Sequence, residues 1–230
     1  MPVKFDQSLS VVTAKLLTMA QLAEDMVHTV ILALTERNPA LLAKVYDDEK
    51  KMDQLQREVD DDTVEMIGVY TPVAADLRML LMVGRINGEL ERIGDQAVNI
   101  CHNVEALLSE ELLKPLVDIP RMATIAEDML RRAVNAFTSR SVEEAAAVMR
   151  QDNEVDWTND LLFKELLGLM DLNPKNIHRA LGLILTARAI ERVADHAVNI
   201  CEDTIYMVTG KDVRHRHADL LQNHPKPVCP

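Results

Sequence analysis

The stretch ERIGDQAVNIC at residues 91–101 returns as ERVADHAVNIC at residues 191–201, identical at eight of eleven positions. Internal repetition of this kind decides the architecture before any single residue is interpreted. Working outward, LAEDMV at 22–27 returns as IAEDML at 125–130, and Glu49-x-x-x-Asp53 returns as Asp152-x-x-x-Asp156. The first pair of segments is offset by 100 and the other two by 103, so three segments match in order with one small indel. The chain is a tandem duplication. Each half reads as three helices, because apolar residues recur at three- and four-residue spacing between helix-breaking signals.

In the first half the pattern predicts helices over about 7–37, 40–69 and 72–110. Asn38-Pro39 separates the first two, and Thr71-Pro72 reads as an N-cap followed by proline at the first helical position. In the second half Ser141 with Glu144 reads as a capping box, Asn173-Pro174 repeats the cap-then-proline start, and Gly210 closes the last helix. Pro115 and Pro120 bracket a stretch that does not continue a helix, which divides the chain into residues 1–113, residues 119–213 and a flexible tail, 214–230. Helices this long are stabilised by packing along their length, and short connections make neighbours antiparallel. The predicted fold is all-α: two tandem, internally repeated three-helix bundles with up-down connectivity.

Composition agrees with this reading. A chain of 230 residues can bury a sizeable core, while 7 glycines and 3% aromatics argue against an all-β fold. Thirty-seven acids against 25 bases give a net charge of −12, which opposes a nucleic-acid backbone and argues against DNA or RNA as a partner. The apolar stretches around 79–84 and 180–187 are far shorter than the roughly 18–20 residues of a membrane span. The opening MPVKFDQSLS lacks a signal-peptide core, and three cysteines cannot all pair within one chain. A reduced, cytoplasmic protein without membrane insertion is expected.

The repeated segment also carries the candidate chemistry. With Leu90 at 0° and about 100° per residue, Ile93, Gly94, Ala97, Ile100 and Cys101 form the buried stripe. Glu91, Asp95, Asn99 and His102 form a polar ridge beside it, repeated as Glu191, Asp195, Asn199 and Glu202. Carboxylates at i and i+4 project from one helix face and can grip one cation or two neighbouring ones. The second helix of each half adds Glu49 with Asp53 and Asp152 with Asp156. If these ridges face each other, each bundle gathers four carboxylates. A single acidic pair is usually just a solvated helix face. Like charges at this spacing repel by a few tenths of a kcal/mol, however, and four converging acids repel more. Arg92 and Arg192 could offset that only as weak exposed ion pairs, whereas a cation does so better.

An oxygen-rich ligand set suits Mg²⁺, Mn²⁺ or iron, and thiolate-rich zinc chemistry is absent. Cys101 and Cys201 fall inside the apolar stripe and read as core residues, as do Met79, Met82, Met129 and Met170. His102 is the better imidazole candidate, while His196 points away from the ridge as a surface or interface residue. A di-iron oxidase would need Glu-x-x-His, and no Glu here has His three residues later. Phosphate-loop, H-E-x-x-H and G-x-S-x-G signatures are also missing, so an enzyme is not expected. A metal-free helical adaptor with acidic docking ridges is the alternative.

With ERIGDQAVNI and ERVADHAVNICEDTIYMVTGKDV in view, the sequence resembles the PhoU family of phosphate-signalling regulators, from the first helix to about residue 213. The resemblance implies two similar three-helix bundles. It also implies a cytoplasmic negative regulator linking the phosphate ABC transporter, through its ATPase subunit, to a sensor histidine kinase, with a homodimer expected. Some members bind iron, zinc, Mn²⁺ or Mg²⁺ at Glu/Asp-x-x-x-Asp motifs. By resemblance these map onto Glu91 with Asp95 and Glu191 with Asp195, and more loosely onto Glu49 with Asp53 and Asp152 with Asp156. The Asp at 152, and His102 where the other half has Glu202, make the two sites unequal.

Overall fold

The structure, a computed structural model, describes residues 2–214; the C-terminal tail expected at 214–230 therefore lies almost wholly outside the described residues. Six α-helices follow in order: α1 (Pro2–Glu36), α2 (Leu42–Tyr70), α3 (Ala75–Leu108), α4 (Asp118–Ser139), α5 (Val142–Leu172) and α6 (Ile177–Thr209). Single 3-10 turns, Pro39–Leu41 and Pro174–Asn176, lead into α2 and α6. Each turn starts on an asparagine. Asn38 Oδ1 accepts from the Ala40 N–H at 3.2 Å, and Asn173 Oδ1 from the Lys175 N–H at 3.1 Å. In both, proline occupies a position whose missing donor costs nothing.

Other helix ends follow the sequence signals unevenly. Ser141 Oγ accepts from the Glu144 N–H at 3.2 Å, as a cap should. The returning half of the capping box is absent, because the Glu144 carboxylate is taken by Arg132 Nε at 2.6 Å. Gly210 ends α6 at φ 69°, its N–H bonded to the Tyr206 carbonyl at 2.8 Å. Thr71 corrects the expectation made of it. It is the left-handed end of α2 (φ 45°), its N–H on the Ile67 carbonyl at 3.1 Å, and not the cap of α3. Proline at 72 cannot continue α2, and the chain needs Val73 and Ala74 to turn before α3 begins at Ala75.

α1, α2 and α3 pack on one another as the first bundle, and α4, α5 and α6 as the second. The bundles meet along two antiparallel seams. Arg78 Nε donates to the Met207 carbonyl at 3.0 Å and Arg85 Nη1 meets Asp203 Oδ1 at 3.2 Å, which sets α3 against α6. Arg131 pairs with Glu24 at 3.1 Å and His28 with Glu127 at 3.5 Å, which sets α1 against α4. α2 and α5 thus flank the molecule on opposite sides, and α2, α3, α6 and α5 lie side by side on one face.

The apolar stripe read from α3 is buried throughout, from Leu90 and Ile93 to Ile100 and Cys101, and its copy on α6 is buried likewise. One continuous core runs through both bundles; Met82 and Met129 lie fully inside it, and Met79 and Met170 pack against it. Residues Lys4–Glu36 of α1, passed over in the sequence reading, are long and apolar enough to cross a membrane by length and composition. About half of that apolar window (56%) is buried against the rest of the protein.

Candidate functional site

Each acidic groove forms where the second and third helices of a bundle run alongside one another. In the second bundle the four expected carboxylates lie near enough to act on one another's charge, although no three of them enclose a single point among the described residues. Burial pushes Asp152 up to about 7, and the charges of Asp156, Asp195 and Glu191 add to the effect. Burial, then Asp195 and Asp160, raise Asp156; burial, then Asp195 and Asp156, raise Glu191. Burial raises Asp195 against the opposing charges of His196 and Arg192. Asp152 Oδ1 is buried without any hydrogen-bond partner. Asn159 Nδ2 donates to Glu191 Oε2 at 2.8 Å and fixes the register of α5 on α6.

The first bundle is less complete. Asp53 of α2 faces Glu91 and Asp95 of α3: burial, then Asp95 and Asp53, raise Glu91, and burial, then Asp53, raise Asp95. Glu49 does not join them. Its charge acts instead on Tyr46 and Cys101, where the Tyr46 hydroxyl donates to Glu105 Oε1 at 3.0 Å. His102 is exposed and tilts over the Tyr46 ring, with centroids 6.1 Å apart. The inequality between the halves is thus built into α2.

None of Glu49, Asp53, Glu91, Asp95, Asp152, Asp156, Glu191 and Asp195 enters an ion pair among the described residues. Arg92, expected to offset them, pairs with Glu89 at 3.4 Å. Nor do any three Asp, Glu, His or Cys side chains stand close enough, as posed, to enclose one ion among the described residues. The grooves are repulsive assemblies of hard oxygen ligands, and the orphaned Asp152 oxygen is the clearest fit to a cation.

Two expected ridge residues turn elsewhere. Glu202 is buried, and Asn199 Nδ2 donates to Glu89 Oε2 at 2.9 Å. For Asn199 the reason is that Glu89 of α3 lies against it, a neighbour that a single-helix projection does not include. Cys101 and Cys201 are buried free thiols, and burial pushes Cys101 up to about 12 and Cys201 higher still, which makes them inert core residues.

Sequence reasoning missed Asp160, Asn159 and above all Glu89. Glu89 Oε2 lies 2.7 Å from His196 Nδ1, each side chain 15% exposed, and ties the two bundles together. Burial opposes ionisation of Glu89, yet the hydrogen bonds from His196 and Asn199 outweigh it and hold the carboxyl below the usual range. The available signal was the mismatch inside the repeat: His196 stands where the first half has Gln96, and Ala189 where it has Glu89.

The PhoU domain model matches residues 16–104 and again 119–204, once per bundle. The Thermotoga maritima phosphate-specific transport system accessory protein PhoU homolog 2 is 37% identical over 198 residues, covering 86% of this chain and 84% of its own. The Escherichia coli phosphate-specific transport system accessory protein PhoU is 29% identical over 218 residues, 95% of this chain and 90% of its own. The crystal structure of PhoU from Pseudomonas aeruginosa superposes with a TM-score of 0.87 at 30% identity, covering 90% of this chain and all of that one. The duplicated bundles, the doubled acidic motif and these matches together place the chain in the PhoU family.

Proposed function

We propose that this chain is a non-enzymatic, cytoplasmic accessory protein of a phosphate-specific transport system. In this reading it is a negative regulator that links the ATPase subunit of the transporter to a sensor histidine kinase and represses phosphate-starvation genes when phosphate is plentiful. The observation that carries it is similarity along nearly the whole chain, both bundles included, to proteins named as accessories of that transport system. Deleting the gene and measuring phosphatase expression in high phosphate tests it. Derepression that the intact chain reverses is the expected result, and unchanged repression refutes the reading.

The same proposal gives the acidic grooves a cation, Fe, Mn, Mg or Zn. In the second groove Asp152, Asp156, Glu191 and Asp195 would hold it, and in the first Asp53, Glu91 and Asp95 with Glu49 nearby. A bound cation supplies the positive charge these oxygens lack. Its binding would stabilise the native state and bias the packing of α5 on α6, a local electrostatic event with a wider readout. Support comes from the raised carboxylates and the unpartnered Asp152 oxygen. A metal-free adaptor is the second reading, favoured by the absence of three side chains posed around one point among the described residues. Elemental analysis of protein purified without added metal, with melts before and after chelation, separates the two. Bound metal and a chelator-sensitive melt support the cation; a metal-free, chelator-insensitive protein supports the adaptor.

A further inference from the structure

We propose that the outer face of the α5–α6 pair is a docking surface for an amphipathic helix of a partner protein, one that carries lysine or arginine at one end of its apolar stripe. The inference rests on the adaptor role above only in supposing that a protein partner exists.

Phe163 and Leu167 of α5 and Ile177, Leu181 and Leu185 of α6 are 41–46% exposed. On α6 the three lie at i, i+4 and i+8, one above another on one face. The Asn159–Glu191 hydrogen bond sets α5 antiparallel to α6, which brings Phe163 and Leu167 within a turn of Leu185 and Leu181. Apolar side chains grouped in this way on an otherwise charged surface mark an interaction site more often than singly scattered ones do.

The duplication supplies an internal control. At the matching positions of the first bundle, Asp60 stands for Phe163 and Arg85 for Leu185. Both first-bundle charges are engaged within the fold, Asp60 accepting from Asn87 Nδ2 at 2.8 Å and Arg85 meeting Asp203 at 3.2 Å, whereas Phe163 and Leu185 put exposed apolar side chains in their place.

Charge identifies the occupant. Phe163 shares its side of α5 with Asp156 and Asp160, and Ile177 its side of α6 with Glu191 and Asp195; these acids make no ion pair among the described residues and repel one another. A helix with an apolar stripe ending in basic residues would cover the leucines and neutralise the acids together. A second copy of this chain, at net charge −12, would bring like charge to like, and an anionic membrane would do the same.

The experiment titrates the full chain with a fluorescently labelled helical peptide of leucine and lysine, beside a leucine–glutamate peptide with the same apolar face. Binding of the first peptide and not the second is expected. The double variant Phe163→Gln/Leu185→Gln should weaken that binding about tenfold or more, while Leu81→Gln, at the matching exposed position of the first bundle, should leave it within about twofold. Both altered side chains are exposed, and an unchanged melt shows that the fold is intact. Undiminished binding by the double variant, equal loss in Leu81→Gln, or equal binding of the acidic peptide overturns the proposal. Sedimentation showing a dimer that the double variant splits would assign the face to a second copy, and binding to anionic vesicles would assign it to lipid; either result also overturns it. In the deletion strain, failure of the parent chain to restore repression refutes the regulatory reading, while the peptide titration still decides the surface.

Discussion

Asp152→Asn tests the second groove because it removes the charge that the structure holds least comfortably. The native carboxyl is pushed from the usual 3.8 to about 7 by burial and by three neighbouring carboxylates. Ionising it in the folded state therefore costs about 4 kcal/mol more than in the unfolded chain, at 1.36 kcal/mol per pKa unit, and about 2 kcal/mol once partial solvent screening is allowed. Because the folded value is raised, the penalty is absent below the unfolded value of about 4, grows as the pH rises, and is complete above about 7. The metal-free Asn variant should therefore be more stable than the metal-free parent at pH 8, by about 2 kcal/mol or roughly 4–8 °C in melting temperature for a chain of this size, and equal to it at pH 4. Asn also gives the buried position two N–H donors for the neighbouring carboxylates. Added Mn²⁺ should reverse the order, raising the parent and leaving the variant unmoved at this groove. Calorimetry at the two pH values, with and without the ion, gives all four numbers. A variant less stable than the metal-free parent at pH 8, or a difference that does not change with pH, would refute the reasoning.

Glu89→Ala removes the partner of His196 and Asn199 at the seam between bundles and should cost about 1–3 kcal/mol in denaturant unfolding. Since the Glu89 carboxyl is held below the usual range, its contribution is present above about pH 4 and is lost as the pH falls through the folded value, so the variant and the parent should converge in acid. Gly210→Ala places a side chain at φ 69° and a Cβ 3.3 Å from Arg78 Nη1, and should lower stability by about 1 kcal/mol in the same assay. Ser141→Ala deletes the cap on the Glu144 N–H and should cost about 1 kcal/mol. Asp95→Ala should lower the metal content of the first bundle while the second stays loaded; equal stoichiometry in variant and parent would count against an ion there.

Periodicity revealed six helices and the side that each buries, because those properties belong to one helix at a time. It placed Leu90, Ile93, Ile100 and both core cysteines correctly for that reason. It missed Glu89, and read His196 only as a surface or interface residue, because their meaning depends on which helix lies alongside, and nothing within α3 or α6 says that the two are neighbours. The same limitation explains Asn199, expected on a solvent ridge but bonded to Glu89 of the neighbouring bundle. Thr71 failed for a local reason. The Thr-Pro signal that starts one helix also ends another, and only the three-residue turn before Ala75 decides between them. Glu49 shows a finer limit. It occupies the register of Asp152, yet its charge acts on Tyr46 and Cys101 instead of the groove, so matching positions need not place matching charges.

The two halves keep their acidic motif and diverge where they touch. Along the α3–α6 seam, Arg85 with Asp203 and Glu89 with His196 make polar links, while their counterparts in the repeat are Leu185 with Asn103 and Ala189 with Gln96. A dimer of two identical bundles would have to repeat every link about its axis, because each patch would face its own copy. Joining the bundles in one chain removes that constraint. One end of the seam can then be closed by charge, with Asp203 and His196 largely buried there, while the other end leaves Leu185 open. The duplication thus preserves two acidic grooves and still gives the molecule a single direction. In the second bundle mutually repelling carboxylates and exposed apolar side chains lie on the same pair of helices, so that a partner and a cation would act there on one structural unit.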